Sequence, residues 1–385
     1  MADVHTDPLL MVCSSTARNL DFFNAATGKQ LETLNNLRAE PHEIAWDSRR
    51  RLAYITHTYR GGIYGYPNTK GHEISVVDPM RRSIIDVIDI APYVGPHDVE
   101  YDAKNDLIYT GVENVDGRNG IVVIDPDTRR VVRNIPTEAA NCHWLALTPD
   151  GLLYVSHKEA PFISIVDPVG GRVIGTVELP GGAEEIDASP DGRWVFVNAP
   201  MQPCEFDKSA KQMFKGDVSP GAPAPRLVRI DTRTHEISAE LEFDDYNSGI
   251  RVAADNSVVI SHMELPSRPV GVGSSDTAGG GSAPLMGKVI VVDGTKMQMT
   301  GEVAVGPMPL TVRTSPDSRR AWCASLGDGY VYVIDLDTLK VLDRLDNNAD
   351  APVGATHGMC LVPPATADLG LLDSQKRDES LRAGQ

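Results

Sequence analysis

The feature that most constrains this chain is a phrase that recurs seven times along it. Each copy has a strand-like run of alternating apolar residues ending in Asp or Asn, a short turn, and a second alternating run, as in IVVIDPDTRRVVRNI. The alternation has a period of two, and turn-forming residues interrupt it, which is typical of short antiparallel strands. The copies span residues 20–34, 72–90, 121–135, 163–179, 226–241, 288–303 and 330–345.

A second recurring piece lies between these phrases. LALTPDGLLYVSH (145–157) and IDASPDGRWVFVN (186–198) are examples, and both predict a strand, a tight turn and a strand. The two pieces together make four strands per unit at a spacing of roughly 40–60 residues, which is typical of a propeller blade. The sequence therefore predicts an all-β, seven-bladed β-propeller with four antiparallel strands per blade.

The two ends of the chain predict how the ring closes. Residues 9–34 supply three strands, and HGMCLVP (357–363) supplies a single inner strand after the last complete unit. Pairing these segments completes the seventh blade and removes an open sheet edge. We therefore expect an N-terminal extension (1–8), the propeller (9–363) and a polar C-terminal tail (364–385).

The SPDG turns and VID strands resemble the YVTN-type propeller repeat over residues 9–363. Propellers of this type include the lactonase and carboxymuconate cyclase group, so the resemblance implies the fold and is compatible with a lactonase-like enzyme. Such folds host many activities, and a function must be argued from a site.

Alignment of the seven inner strands on that turn shows that histidines recur at one position. The same position carries Glu184 in a fifth blade, and these five blades are consecutive around the ring. Several neutral imidazoles that face one channel make a metal-ligand shell. The predicted metal ligands are His42, His97, His143 and His357.

Further polar residues are predicted at the same mouth, because inner strands begin where second strands end. His57, His157 and His262 lie at the ends of second strands, and Glu113 lies beside an equivalent position. Three insertions (58–71, 199–225 and 264–287) follow the same strand ends and are expected to form lids on this rim.

The residue types suggest roles for this group. Imidazole-rich shells suit Zn, Fe, Mn, Cu or Ni better than Ca or Mg. The candidate carboxylates, as a general base or as partners of the ligands, are Glu113, Glu184, Glu185 and Asp98. One of His57, His157 and His262 is an alternative proton carrier.

Two arginines occupy matching positions further along the inner strands of the blades without ring histidines. Arg251 and Arg313 are either binding groups for an anionic substrate or partners in ion pairs between blades.

Composition excludes some classes of partner. The net charge of −17 argues against nucleic acid and anionic lipid, and no apolar run is long enough to span a membrane. The N-terminal residues show no secretory signal, so a cytoplasmic location is expected. The five cysteines have no paired spacing, and those in strand-like runs are expected to be buried apolar residues.

The motifs EPHE (40–43) and GPHD (95–98) resemble the EPHD motif of nitrous-oxide reductases, in which a histidine-rich copper centre lies at a propeller mouth. Carotenoid-cleaving oxygenases are similar in using four histidines of a seven-bladed ring to hold iron.

Three functions stay open. The preferred one is a divalent-transition-metal enzyme that hydrolyses or eliminates a small ester- or lactone-like substrate. The second is a mononuclear iron or copper oxidoreductase that uses the same histidines, and the third is a non-catalytic propeller scaffold.

Overall fold

The structure is a computed structural model that describes residues 7–35, 37–60, 70–115, 117–200, 223–264, 287–348 and 356–364. These residues form 28 β-strands, and the described part of the chain contains no helix. The strands are β1 (Leu9–Ser14), β2 (Asn19–Asn24), β3 (Gln30–Leu34), β4 (Glu40–Asp47), β5 (Leu52–Tyr59), β6 (Lys70–Asp78), β7 (Ser83–Asp89), β8 (Val99–Asp102), β9 (Leu107–Val115), β10 (Arg118–Asp125), β11 (Arg130–Ile135), β12 (Leu145–Leu147), β13 (Leu153–Val155), β14 (Phe162–Asp167), β15 (Arg172–Glu178), β16 (Ile186–Ala188), β17 (Trp194–Ala199), β18 (Arg226–Asp231), β19 (Glu236–Glu242), β20 (Tyr246–Val252), β21 (Ser257–Met263), β22 (Gly287–Asp293), β23 (Gln298–Val305), β24 (Pro309–Thr314), β25 (Arg320–Ser325), β26 (Tyr330–Asp335), β27 (Lys340–Asp346) and β28 (Thr356–Val362).

The strands form seven four-stranded antiparallel sheets, the blades of the predicted propeller. Blade 1 has the order β28-β1-β2-β3, and blades 2 to 7 take the strands β4 to β27 in consecutive sets of four. In blade 1 the last strand pairs with the first, with Leu9 opposite Val362 and Val12 opposite Met359. This pairing confirms the predicted ring closure, in which both chain ends contribute to one sheet and no blade is left incomplete.

One turn recurs between the third and fourth strands of the blades. In blade 3, Asp125 Oδ1 accepts hydrogen bonds from the amides of Asp127 and Thr128, and Arg129 takes a positive φ of 57°. An extra residue then bulges from the fourth strand. The side chain of Asp satisfies turn amides that have no strand partner, which explains why the recurring phrase ends in Asp.

The hydrophobic core is divided into layers between neighbouring blades. One layer joins blades 4 and 5 through Trp144, Tyr154 and Val228, and another joins blades 1 and 2 through Phe22 and Ile55. Equivalent layers fill the other five junctions between blades. Because the core lies between the blades, the inner strands are free to present polar side chains to the central channel.

Several sequence expectations fall partly or wholly outside the described residues. Most of each of the three insertions does, as do Cys204 and the terminal segments 1–6 and 365–385. The other four cysteines are buried thiols, as predicted. No helix that is long and apolar enough to cross a membrane occurs in the described ranges.

Candidate metal centre

The four predicted histidines lie side by side at one mouth of the channel. The ring centroid of His42 is 4.0 Å from that of His357 and 4.1 Å from that of His97, and His97 is 3.9 Å from His143. They come from four consecutive blades, so the predicted alignment of inner strands is matched by contact in three dimensions. We call these four side chains the histidine arc.

Hydroxyl groups on second strands hold the arc backbone in place. Thr56 Oγ1 accepts the amide of Glu43 and donates to the carbonyl of His97 in the next blade, at 3.0 and 2.7 Å. Ser156 makes the equivalent pair of contacts with the amide of Trp144 and the carbonyl of Glu184. Each hydroxyl thus satisfies two buried backbone groups and links neighbouring inner strands at the level of the arc.

One end of the arc contains a buried carboxylate that sequence analysis did not select. Glu43 Oε1 accepts a hydrogen bond from His357 Nδ1 at 2.9 Å, and Glu43 Oε2 lies 3.5 Å from Arg313 Nη2. Burial by itself raises the pKa of Glu43, but the hydrogen bond from His357, the adjacent His42 and the charge of Arg313 together lower it to about 2. Glu43 is therefore an ionised acceptor inside the protein.

This contact determines which nitrogen of His357 carries a proton. A carboxylate can only accept, so Nδ1 of His357 is the donor and Nε2 is the nitrogen that is left to face a ligand. A carboxylate that orients a histidine in this way is a common partner of metal-bound imidazoles. The side chain of His357 is 18% exposed, so this end of the arc is the more accessible one.

The two central histidines have buried nitrogens that lack hydrogen bonds. Nδ1 of His42 and Nδ1 of His97 have no hydrogen-bond partner among the described residues, although Glu43 Oε1 is 3.7 Å from His42 Nδ1. Burial and the neighbouring His357 lower the pKa of His42 to about 4. Burial and the adjacent His143 and His42 also hold the pKa of His97 well below its usual value. Both rings are neutral near pH 7 and can donate a lone pair to a metal.

The other end of the arc carries the predicted Glu184. Its Oε1 lies 3.9 Å from His143 Nε2 and 3.1 Å from the Lys158 ammonium group. Burial and the positive charge of Lys158 keep the pKa of His143 well below its usual value. The arc is therefore flanked by two carboxylate–cation pairs, Glu43 with Arg313 and Glu184 with Lys158.

Ligand atoms from three residues come closest to a metal-binding arrangement. Those of His42, Glu43 and His357 all lie within 4.8 Å of one another, and no other such group of three or more occurs among the described residues. His97 and His143 continue the arc away from this cluster. Two imidazoles and a carboxylate suit a transition metal, and the cluster leaves coordination positions for water or substrate.

His57 and His157 do not lie with the arc, contrary to the prediction that they face the mouth. Nδ1 of His57 bonds the carbonyl of Ala39 and its Nε2 bonds Ser75 Oγ. His157 has equivalent bonds to Asn141 O and Ser164 Oγ. Because the carbonyls only accept, both rings are fixed as Nδ1–H tautomers with no nitrogen left for proton transfer. They stabilise the loops that lead into the inner strands.

Two further candidates, His262 and Glu113, also have partners outside the arc. His262 bonds Asn247 Oδ1 through Nδ1 and lies outside the arc. Glu113 accepts a hydrogen bond from Tyr59 and is paired with Lys70, so Tyr59 stands between it and His42.

Two predicted carboxylates connect neighbouring blades. Glu185 Oε2 accepts the amide of Ile250, and Asp98 Oδ2 accepts the amide of Leu145. These bonds give Glu185 and Asp98 structural partners.

Arg251 and Arg313 have different surroundings although their strand positions match. Arg313 donates to the carbonyls of Met359 and Val312 and contacts Glu43. Arg251 Nε lies 3.6 Å from Asp187 Oδ2, and the Arg251 side chain is 40% exposed in the channel. Sequence analysis could not distinguish the two arginines, because their positions in the repeat are the same and only the residues that contact them differ.

Comparison with known proteins supports the fold. No protein-family model matches the chain, and no curated protein sequence matches it. Among solved structures, Kuenenia stuttgartiensis hydrazine synthase is similar with a TM-score of 0.59 and 18% identity, covering 83% of this chain and 89% of that one. The dihydro-heme d1 dehydrogenase NirN, solved in complex with DHE, has a TM-score of 0.54 and 12% identity, covering 94% and 76%.

The shared feature is the fold. At these identities the two similarities carry no information about the site, and assignment to the YVTN or lactonase group stays a prediction.

Proposed function

We propose that this protein is an enzyme that holds a transition-metal ion at the histidine arc and acts on a small molecule in the channel mouth. The observation that carries the proposal is the buried cluster of His42, Glu43 and His357. Nδ1 of His42 and Nδ1 of His97 are buried without a hydrogen-bond partner among the described residues, and each such atom costs about 1–3 kcal/mol of stability. A bound metal offsets that cost.

The preferred chemistry is hydrolysis or elimination of a small ester- or lactone-like substrate. A bound metal supplies Lewis acidity toward a carbonyl oxygen or a bound water. Glu184 supports this choice, since it lies beside His143 and its Oε2 is buried with no hydrogen-bond partner among the described residues. We assign it the role of proton acceptor. The ammonium group of Lys158 stabilises negative charge that develops nearby.

A second candidate is an iron or copper oxidoreductase at the same site. It is favoured by the ligand set, because two histidines and one carboxylate with open positions also suit non-haem iron. The further imidazoles of His97 and His143 extend a donor set that suits copper. One of the two similar solved structures is named as a dehydrogenase, but its similarity concerns the fold.

Elemental analysis of untagged protein tests the proposal. We expect about one transition-metal ion per chain, and His42→Ala and His357→Ala, which each remove a ligand of the cluster, should each lose more than half of it. His235→Ala is the matched control, since His235 lies in a turn and bonds Tyr154. Metal content near zero in the wild type, or equal loss in all three variants, would contradict the proposal.

The identity of the metal separates the two chemistries. Zinc together with ester or lactone hydrolysis supports the first, and iron or copper together with oxygen uptake supports the second. A protein without stoichiometric metal that binds a macromolecular partner supports the scaffold alternative.

A further inference from the structure

Four of the seven inner strands carry a charged side chain three residues beyond the position that the histidine arc occupies in blades 1 to 4, and these form a second level in the channel. Glu100, Asp187, Arg251 and Arg313 share this strand position in blades 3, 5, 6 and 7. They act on one another across the channel. Burial raises the pKa of Glu100 to about 7, while the charge of Arg251 opposes that rise.

The two arginines of this level differ in how many of their donors the protein uses. Three nitrogens of Arg313 have partners, and one of these partners is the Glu43 carboxylate beside His357. Arg251 makes no hydrogen bond within the described ranges, and its ion-pair partner, Asp187 Oδ2, is 3.6 Å from Nε. A guanidinium has five N–H donors in a planar fork, so Arg251 retains capacity for a ligand.

Asp187 does not saturate Arg251, because backbone amides already hold that carboxylate. Asp187 Oδ2 accepts the amide of Val252 at 2.7 Å and Oδ1 accepts the amide of Ala188 at 2.9 Å. These bonds keep Asp187 at the wall, where it limits the positive charge that a ligand meets. The site therefore favours a singly charged group over a doubly charged phosphate.

The wall above Arg251 has short side chains. At the position where other blades carry histidine, blade 6 has Ser248, which is buried and donates to the carbonyl of Pro309. Gly249 follows, and a Cβ there would lie 2.0 Å from the carbonyl oxygen of Leu310. The histidine arc occupies blades 1 to 4, so Ser248 and Gly249 of blade 6 lie across the channel from the histidines.

We propose that Arg251 binds the carboxylate of the substrate, so that the enzyme acts on small molecules that carry one negative charge beside their reactive group. This deepens the proposed function, on which it rests for the reaction itself. Bidentate pairing of a carboxylate with the guanidinium fork would orient the substrate with its other end toward the histidine arc.

Binding of monomethyl succinate to metal-free protein, followed by calorimetry or ligand-observed NMR, tests the inference without depending on metal chemistry. This compound has one carboxylate and one ester, and dimethyl succinate is its neutral match. We expect wild type to bind the monoester at least about tenfold more tightly than the diester and than inorganic phosphate. Arg251→Gln should lose about tenfold in affinity, and Arg251→Lys should recover part of it.

The controls separate this inference from the proposed function. Arg233→Gln alters an exposed turn residue and should bind like wild type. Arg251→Gln should retain the metal content of the wild type, because the contacts at the metal cluster are made by Arg313. If the wild type contains no metal but binding still depends on Arg251, the proposed function fails and this inference stands. Any of four results would overturn the inference: equal affinity in Arg251→Gln, equal affinity for the diester, tighter binding of phosphate, or no binding of the monoester by wild type.

Discussion

Replacement of His157 by glutamine should make the free energy of unfolding depend less on pH between pH 8 and pH 5. Burial lowers the pKa of His157 from 6.5 to about 4, so below pH 6.5 the unfolded chain binds a proton that the folded chain excludes. This contribution to stability is complete above pH 6.5 and decreases as the pH falls toward 4. At about 1.4 kcal/mol per pH unit, the whole contribution is about 3 kcal/mol.

Most of that contribution disappears within a convenient range of pH. Between pH 8 and pH 5 the wild type should lose about 2 kcal/mol of its free energy of unfolding through His157 alone. His157→Gln removes the titrating ring and two hydrogen bonds. The variant should therefore be less stable at pH 8, by about 1–3 kcal/mol, but its deficit should shrink by about 2 kcal/mol at pH 5.

Urea denaturation of both proteins at pH 8, 7, 6 and 5 measures this difference. Ser164→Ala is the control, since it removes the partner of Nε2 but keeps the imidazole, and its deficit should shrink less than that of His157→Gln. A deficit of His157→Gln that stays constant from pH 8 to pH 5 would refute the assignment of His157 as a buried, neutral structural residue.

Three further variants test how the arc is held. Glu43→Gln should lower the metal content, which elemental analysis measures. It should also reduce the free energy of unfolding by about 3–5 kcal/mol, measured by urea denaturation, because it leaves the Arg313 guanidinium without its carboxylate. Gly358→Ala should destabilise the contact between the inner strands of blades 1 and 2 by about 2 kcal/mol or more, since its Cβ would lie 1.9 Å from His42 O. Gly175→Ala is the control, because its Cβ meets only a side-chain carbon at 3.8 Å. A similar urea midpoint for the two variants would contradict the prediction. Thr56→Val should cost about 1–3 kcal/mol and Thr56→Ser much less, because only the hydroxyl bridges the two inner strands; equal losses would show that packing matters more.

Each histidine at the end of a second strand directly follows a Ser or Thr, and only the structure shows what this pair of residues does. Thr56 precedes His57, Ser156 precedes His157, and Ser261 precedes His262. In the first two pairs the hydroxyl joins neighbouring inner strands while the imidazole caps a loop. Sequence alignment placed these histidines at a common strand end, but it could not show which way their side chains point.

The repeat by itself determined the fold, the closure of the ring and the order of the histidines around it. This was possible because every inner strand of a propeller begins at the same mouth, so equal positions in the repeat become neighbours in space. Only the tertiary structure decided which polar groups work together. Glu43 turns to His357 and Arg313, which are 314 and 270 residues away in sequence, while Glu185 and Asp98 bond backbone amides. Hydrogen-bond partners across blades depend on side-chain direction and on what the neighbouring blade presents, and a one-dimensional repeat contains neither.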